Sequence, residues 1–169
     1  MFTKITLENF RSFDHIELDL TEKGNTAKHL AILYGENGAG KSNLMSAFVL
    51  LPELTRTMDA RAAYERILAQ GAIFQDENME KEMREHIRQR LRDMSAIIKD
   101  YQMADCENPI IAEYEFNIDG NNGCYRVEFG QDEILHERLE FVLNRRRGLY
   151  FDCSVTGINI NDSIVEKEQ

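Results

Sequence analysis

The stretch LAILYGENGAGKSNLMSAF, Leu30 to Phe48, constrains this chain more than any other. An apolar run leads into Gly35, Glu36, Asn37, Gly38, Ala39, Gly40, Lys41 and Ser42, which match G-x-x-x-x-G-K-[ST] in full. Each part has a physical task. The glycines let the backbone turn tightly and aim successive N–H groups inward, making a nest for anionic oxygens. A helix starting near Lys41 adds its unpaired N-terminal donors and the positive end of its dipole. The Lys41 ammonium can bridge phosphates as a mobile point charge. The Ser42 hydroxyl has the length to reach a magnesium ion whose other ligands are phosphate oxygens and water. The stretch therefore predicts a strand, a phosphate-holding loop and a helix, in that order.

The rest of the chain sets bounds. Its 169 residues suffice for one domain with a hydrophobic core. The net charge of −10 opposes strong sequence-independent binding to nucleic acid by this segment alone, since such binding needs a Lys/Arg surplus. "NRRRG", Asn144 to Gly148, is the candidate local basic patch. Cys106, Cys124 and Cys153 include no C-x-x-C pair, so they read as reduced, partly buried thiols and not as a disulfide framework or zinc site. No apolar run has the roughly 20 residues of a membrane span, and "MFTKITLENF" lacks the apolar core of a signal peptide. A cytoplasmic location is expected.

Periodicity gives the outline. Ile5 and Leu7 alternate with Lys4, Thr6 and Glu8, as in a half-buried strand, and Ile16, Leu18 and Leu20 give a second one. "HLAILY" is apolar without alternation and predicts a strand buried on both faces. A helix should run from Lys41 to about Leu51, with Pro52 where it ends. From Glu53 to about Asn108 the chain is rich in helix formers. Met79, Met83, Ile87, Leu91, Met94, Ile98 and Tyr101 form one stripe there, expected to pack on this domain or on a second helix. After "ENP" the period becomes two. Tyr114, Phe116 and Ile118, then Tyr125, Val127 and Phe129, then Leu135, Leu139, Phe141 and Leu143 mark strands, with Glu137 as the exception. "DGNNG", Gly130 and "RRRG" mark turns, and Leu149 to Cys153 and Val155 to Ile160 complete an antiparallel meander.

Three stretches carry a family resemblance. "GENGAGKSNLM" resembles the G-x-N-G-x-G-K-[ST] loop of ABC-type and SMC-like ATPases. "ITLENFRSF", Ile5 to Phe13, looks like the N-terminal strand-turn-strand of the RecF, SMC and OLD-family ATPases. "YRVEFGQDEILHERLEFV", Tyr125 to Val142, is similar to a strand pair in AAA-type ATPases of ABC architecture from genome-maintenance and phage-defence systems. The resemblance covers Met1 to about Pro52 and about Ile110 to Ile160, with the helical part between them in the place of a variable insertion. It implies an α/β fold: a P-loop nucleotide-binding core with a mixed sheet, an antiparallel meander and a helical insertion at about 53–108. It also implies ATP and Mg²⁺ as ligands, with Asn37 through Asn43 on the phosphates, Ser42 on the metal, and Arg11 and Ser12 near the nucleotide.

The chain departs from that family in its catalytic parts. It has no LSGGQ-like signature. The best Walker B candidate is "GLYFDC", where Asp152 follows Leu149, Tyr150 and Phe151 but no Glu comes next. Gln131 is the place to look for a glutamine loop, although "FGQDE" reads more simply as a hairpin turn. His15, His29, His86 and His136 show no metal-ligand spacing. Residues 1–169 are therefore read as one N-terminal ATPase lobe, whose partner lobe with signature and Walker B is not in this chain. The lobe should bind Mg-ATP without catalytic residues of its own and should not hydrolyse it. Heads of this family sandwich ATP as dimers, so a homodimer through the heads is the implied assembly. DNA or RNA would engage only the full-length complex, through an effector the sequence does not name. The alternative is a stand-alone, nucleotide-dependent interaction module whose Met79–Tyr101 stripe docks a partner. A small independent P-loop kinase or NTPase is a third reading. It needs a metal-binding acid after a second buried strand, which the meander does not offer.

Overall fold

The structure is a computed structural model that describes residues 1–22, 26–70, 94–143 and 146–161. Its strands are β1 (Phe2–Phe10), β2 (Phe13–Asp19), β3 (Ile110–Ile118), β4 (Asn121–Gly130), β5 (Glu133–Leu143), β6 (Arg146–Ser154) and β7 (Gly157–Ile160). Its helices are α1 (Lys41–Gln70) and α2 (Met94–Tyr101). The described strands make a seven-stranded sheet in the order β2-β1-β3-β4-β5-β6-β7. From β3 onward, order in space follows order in sequence, which is the expected meander.

Alternation explains which face is covered. Thr3, Ile5 and Leu7 of β1 point inward, as do Ile110, Ala112 and Tyr114 of β3 and Val127 and Phe129 of β4. The α1 stripe Leu44, Ala47, Leu50 and Leu54 packs on this face together with Ile97, Ile98 and Tyr101 of α2. The Tyr114 hydroxyl donates to the Ala47 carbonyl at 2.7 Å inside the core, so this buried polar group is satisfied. Near the end of β1 the alternation breaks. Asn9 adopts a left-handed φ of 53°, which Asn tolerates better than most residues. It donates to the Pro109 carbonyl at 2.8 Å, and Phe10 takes the inward position instead.

Glu137 has a physical explanation as the polar exception in β5. Its carboxylate accepts from the Tyr125 hydroxyl at 2.8 Å. Burial pushes the Tyr125 phenol well above its ordinary pKa, and the nearby carboxylate pushes it the same way. The phenol therefore stays protonated and able to donate. Gln131 and Asp132 form the β4–β5 turn with φ values of 54° and 70°. Two positive φ angles in a two-residue loop are the geometry of a tight hairpin, so Gln131 is a turn residue.

Three expectations are corrected. The sheet is not mixed, because every neighbouring pair in it is antiparallel. The run "HLAILY" is irregular instead of a buried strand. A Thr21–Ala27 bridge folds the chain back on itself, and beyond it Leu30, Ile32 and Tyr34 are 77%, 75% and 93% exposed. A strand buried on both faces needs strands beside it, and among the described residues none pairs with this run. Finally, α1 does not stop at Pro52 but runs through it to Gln70. Leu54, 3% exposed, extends the buried stripe past the proline. Tertiary packing thus outweighs the local cost of a missing N–H. Of the methionine-rich stripe, Met94, Ile98 and Tyr101 lie against the core. Met79, Met83, Ile87 and Leu91 fall outside the described residues, as do the Asn144–Arg145 end of the basic patch and His86.

Candidate nucleotide site

The glycine loop connects the exposed apolar run to the first turn of α1. Gly38 and Gly40 have φ values of 87° and 81°, a region that side chains with a Cβ rarely enter. Gly40 is further restricted, since a Cβ there would come 2.7 Å from a ring carbon of Phe13. The Ala39 amide donates to the Glu36 carbonyl at 3.2 Å and closes a turn inside the loop. The helix begins at Lys41, and its first internal bond runs from the Leu44 amide to the Gly40 carbonyl at 2.9 Å. The amides of the opening turn are thereby left to face the loop, where anions are favoured.

Lys41 folds back over the loop. Its ammonium donates to the carbonyls of Gly35 at 2.8 Å and Glu36 at 2.7 Å. Both contacts are on the exposed side, so the charge stays next to solvent and within reach of an incoming anion. Ser42 is exposed, Asn43 half-buried, and Glu36, Asn37 and Ala39 exposed. The predicted loop residues are brought together as one open cradle.

The β1–β2 turn supports that cradle. Phe10 and Phe13 are register partners, so Arg11 and Ser12 form a two-residue loop. Arg11 is left-handed, with φ 52°. The Asn43 side-chain amide donates to Ser12 Oγ at 2.9 Å. The same hydroxyl oxygen lies 3.3 Å from where a Gly40 Cβ would be. Ser12 is thus placed against the loop. The Arg11 guanidinium lies 4.8 Å from the centre of the Tyr101 ring, and its Nε is buried with no hydrogen-bond partner among the described residues. Phe13 and Tyr101 are the residues that sequence reasoning missed. The signal for Phe13 was the aromatic bracketing of "NFRSF", which periodicity alone assigned to strand packing; Tyr101 lies 90 residues after Arg11 and no local pattern tied it to the turn.

Donor chemistry fits Mg-ATP. Lys41, the loop amides and the amides of the first turn of α1 would hold the phosphate oxygens. Ser42 Oγ would supply one oxygen to a magnesium ion that keeps several waters. Among the described residues, no group of three or more His, Cys, Asp or Glu is arranged to hold a metal by itself.

An apolar groove of about 730 Å³ adjoins the cradle, with Lys41 and Ser42 in its wall beside Leu18, Ile32, Met45 and Val49. Met45 and Val49 are 50% and 52% exposed. They form the outer face of the same helix whose inner face builds the core.

Asp152 is not part of this constellation. Its carboxylate pairs with His136 at 2.6 Å and Arg138 at 3.3 Å. Arg138 lies in register with Arg126, and Arg126 with Glu113. Glu113 alternates away from the core residues Ala112 and Tyr114, so Asp152 belongs to the sheet face opposite α1. β6 is also four strands from β1, roughly 19 Å at about 4.8 Å per strand. The Walker B candidate is therefore corrected: its aspartate serves a surface ion-pair network. His15 approaches Glu8 and Glu17 only at the limit of an ion pair, 3.9 and 4.0 Å.

Comparison with known proteins points to the same region. The AAA domain family matches residues 4–52. The DNA replication and repair protein RecF of Bacillus mycoides (strain KBAB4) is 41% identical over 49 residues, which is 29% of this chain and 12% of that protein. The match thus spans about an eighth of the relative's length. Both findings support an AAA/RecF-like P-loop ATPase N-terminal region at the start of the chain. Among the described residues no helix is long and apolar enough to cross a membrane.

Proposed function

We propose that this chain is the Mg-ATP-binding N-terminal lobe of a RecF/SMC-like, ABC-type ATPase that works in DNA metabolism or phage defence. The observation that carries the reading is the Lys41 ammonium clasped over the Gly35 and Glu36 carbonyls at the mouth of α1. That arrangement concentrates a mobile cation, loop amides and a helix N-terminus on one small volume. The RecF likeness supports the DNA side of the proposal.

The lobe reading draws on a second feature. Leu30, Ile32, Tyr34, Met45 and Val49 expose apolar surface beside the cradle. Contiguous surface of this type marks a place where further protein docks. In the proposal, another lobe or a second head covers it and supplies the groups that orient water. ATP then controls how heads pair, and head pairing controls an effector. The alternative of a stand-alone module docking through its helical stripe is less well supported. Ile98 and Tyr101 at the described end of that stripe are 8% and 2% exposed, committed to this chain's own core.

The test is calorimetric titration of Mg-ATP into the chain and into Lys41→Ala. Binding that is lost or strongly weakened in the variant supports the proposal. Equal affinity in both would remove the phosphate site.

A further inference from the structure

The end of α2 is fastened to the β1–β2 turn. The Arg11 amide donates to the Tyr101 carbonyl at 2.7 Å, and the Met103 amide donates to the Asn9 carbonyl at 3.0 Å. Phe10 bridges Gln102, and the Phe10 and Tyr101 rings stack with centroids 5.4 Å apart. The Arg11 guanidinium covers the Tyr101 ring. The turn's other side grips the glycine loop, through Asn43 to Ser12 Oγ and through Phe13 against Gly40. Two residues, Arg11 and Ser12, therefore separate the ring of Tyr101 from the phosphate cradle.

We propose that Tyr101 is a positioning residue for the phosphate loop, acting through the Arg11–Ser12 turn, so that α2 and the nucleotide site sense each other. This rests on the nucleotide-binding reading above. The physical basis is the shortness and stiffness of the connection. A two-residue hairpin loop with a left-handed Arg11 has few alternative conformations. Tyr101 is 2% exposed and touches the turn by backbone and by ring, so it cannot shift without moving the turn. A triphosphate that orders Gly40 and Asn43 restrains Ser12, and through Ser12 the Arg11 amide that bonds Tyr101. The effect is reciprocal by thermodynamic necessity: whatever loosens Tyr101 must weaken nucleotide binding by the same factor.

The experiment is hydrogen exchange on the whole chain with and without saturating Mg-ATP. Strand β6, which touches neither the turn nor the loop, gives the baseline for any general stabilisation. Slower exchange is expected at residues 35–46 and also at Arg11, Gln102 and Met103, beyond the change in β6. Slowing at 35–46 with residues 101–103 following β6 would overturn the coupling and leave nucleotide binding intact. No slowing at 35–46 would overturn nucleotide binding and the coupling with it. A variant gives an independent arm. Tyr101→Leu, with its fold checked by circular dichroism, should bind about fivefold more weakly, at the low end of ordinary site-to-site coupling. Equal affinity of Tyr101→Leu and wild type would also overturn the proposal, and if that variant does not fold, the wild-type exchange pattern decides.

Discussion

Asn43, in the first turn of α1, donates its side-chain amide to Ser12 Oγ at 2.9 Å across 31 residues of sequence. This bond joins the glycine loop to the hairpin of β1 and β2. It explains why the two stretches most informative in the sequence belong to one site.

The first prediction concerns Gly40. Alanine there must hold a φ of 81° and place its Cβ 2.7 Å from Phe13. A left-handed non-glycine residue costs about 1–2 kcal/mol, and moving the Phe13 ring adds to it. Gly40→Ala should lower the melting temperature by roughly 2–8 °C, using about 2–4 °C per kcal/mol for a chain of this size. It should also weaken Mg-ATP binding. A thermal melt beside a titration checks both, and an unchanged melt would show that the loop is not held as described.

A second prediction contrasts neighbours on α1. Leu50 is fully buried, while Val49 is 52% exposed. Leu50→Asp places an uncompensated carboxylate in the core and should abolish cooperative unfolding or cost several kcal/mol, about 3 or more. Val49→Asp should stay within about 0.5 kcal/mol of wild type in this chain. Denaturant melts of both variants measure it. Equal losses would mean that the helix faces are misassigned.

A third prediction concerns the core hydrogen bond. Tyr114→Phe removes the donor to Ala47 O but keeps the ring. A net loss of about 1 kcal/mol is expected, read as a shifted denaturation midpoint at unchanged slope.

Much of this architecture was legible in the sequence, and the failures have physical causes. Alternation located β1, β2 and the meander, because a half-covered sheet imposes a period of two. Spacing located the cradle, because its backbone geometry demands glycine at fixed places. "HLAILY" was misread because apolarity reports what a segment can bury, not whether neighbours are there to bury it. The mixed sheet was an expectation carried by the family resemblance, and no pattern in the residues themselves called for a parallel pair. Pro52 was misread because the decisive quantity is the burial of Leu54, two residues later, which local rules do not contain. The orphaned Arg11 Nε and the Tyr101 ring above Arg11 depend on contacts 90 residues apart, and no local pattern encodes them.

The fourth prediction concerns catalysis. The cradle can neutralise phosphate charge, but water needs an acidic group to orient it. Asp152 is engaged by His136 and Arg138 on the opposite face of the sheet. Groups that stabilise transition-state charge are worth on the order of 10³ or more in rate. The chain should therefore release phosphate from saturating Mg-ATP no faster than Lys41→Ala, across a range of protein concentrations. Turnover that rises with concentration, well above the variant, would reveal a catalytic acid supplied between copies.

The central claim is that the Gly35–Asn43 loop holds triphosphate and its magnesium. Calorimetric titration of Mg-ATP, run on wild type and Lys41→Ala with circular dichroism on both, tests it most directly. The account predicts saturable binding by wild type and at least a tenfold loss in the variant, about 1.4 kcal/mol, because a charge-assisted contact to phosphate is removed, with the helical signal unchanged. Equal affinity in two equally folded proteins, or no binding by wild type, would contradict it.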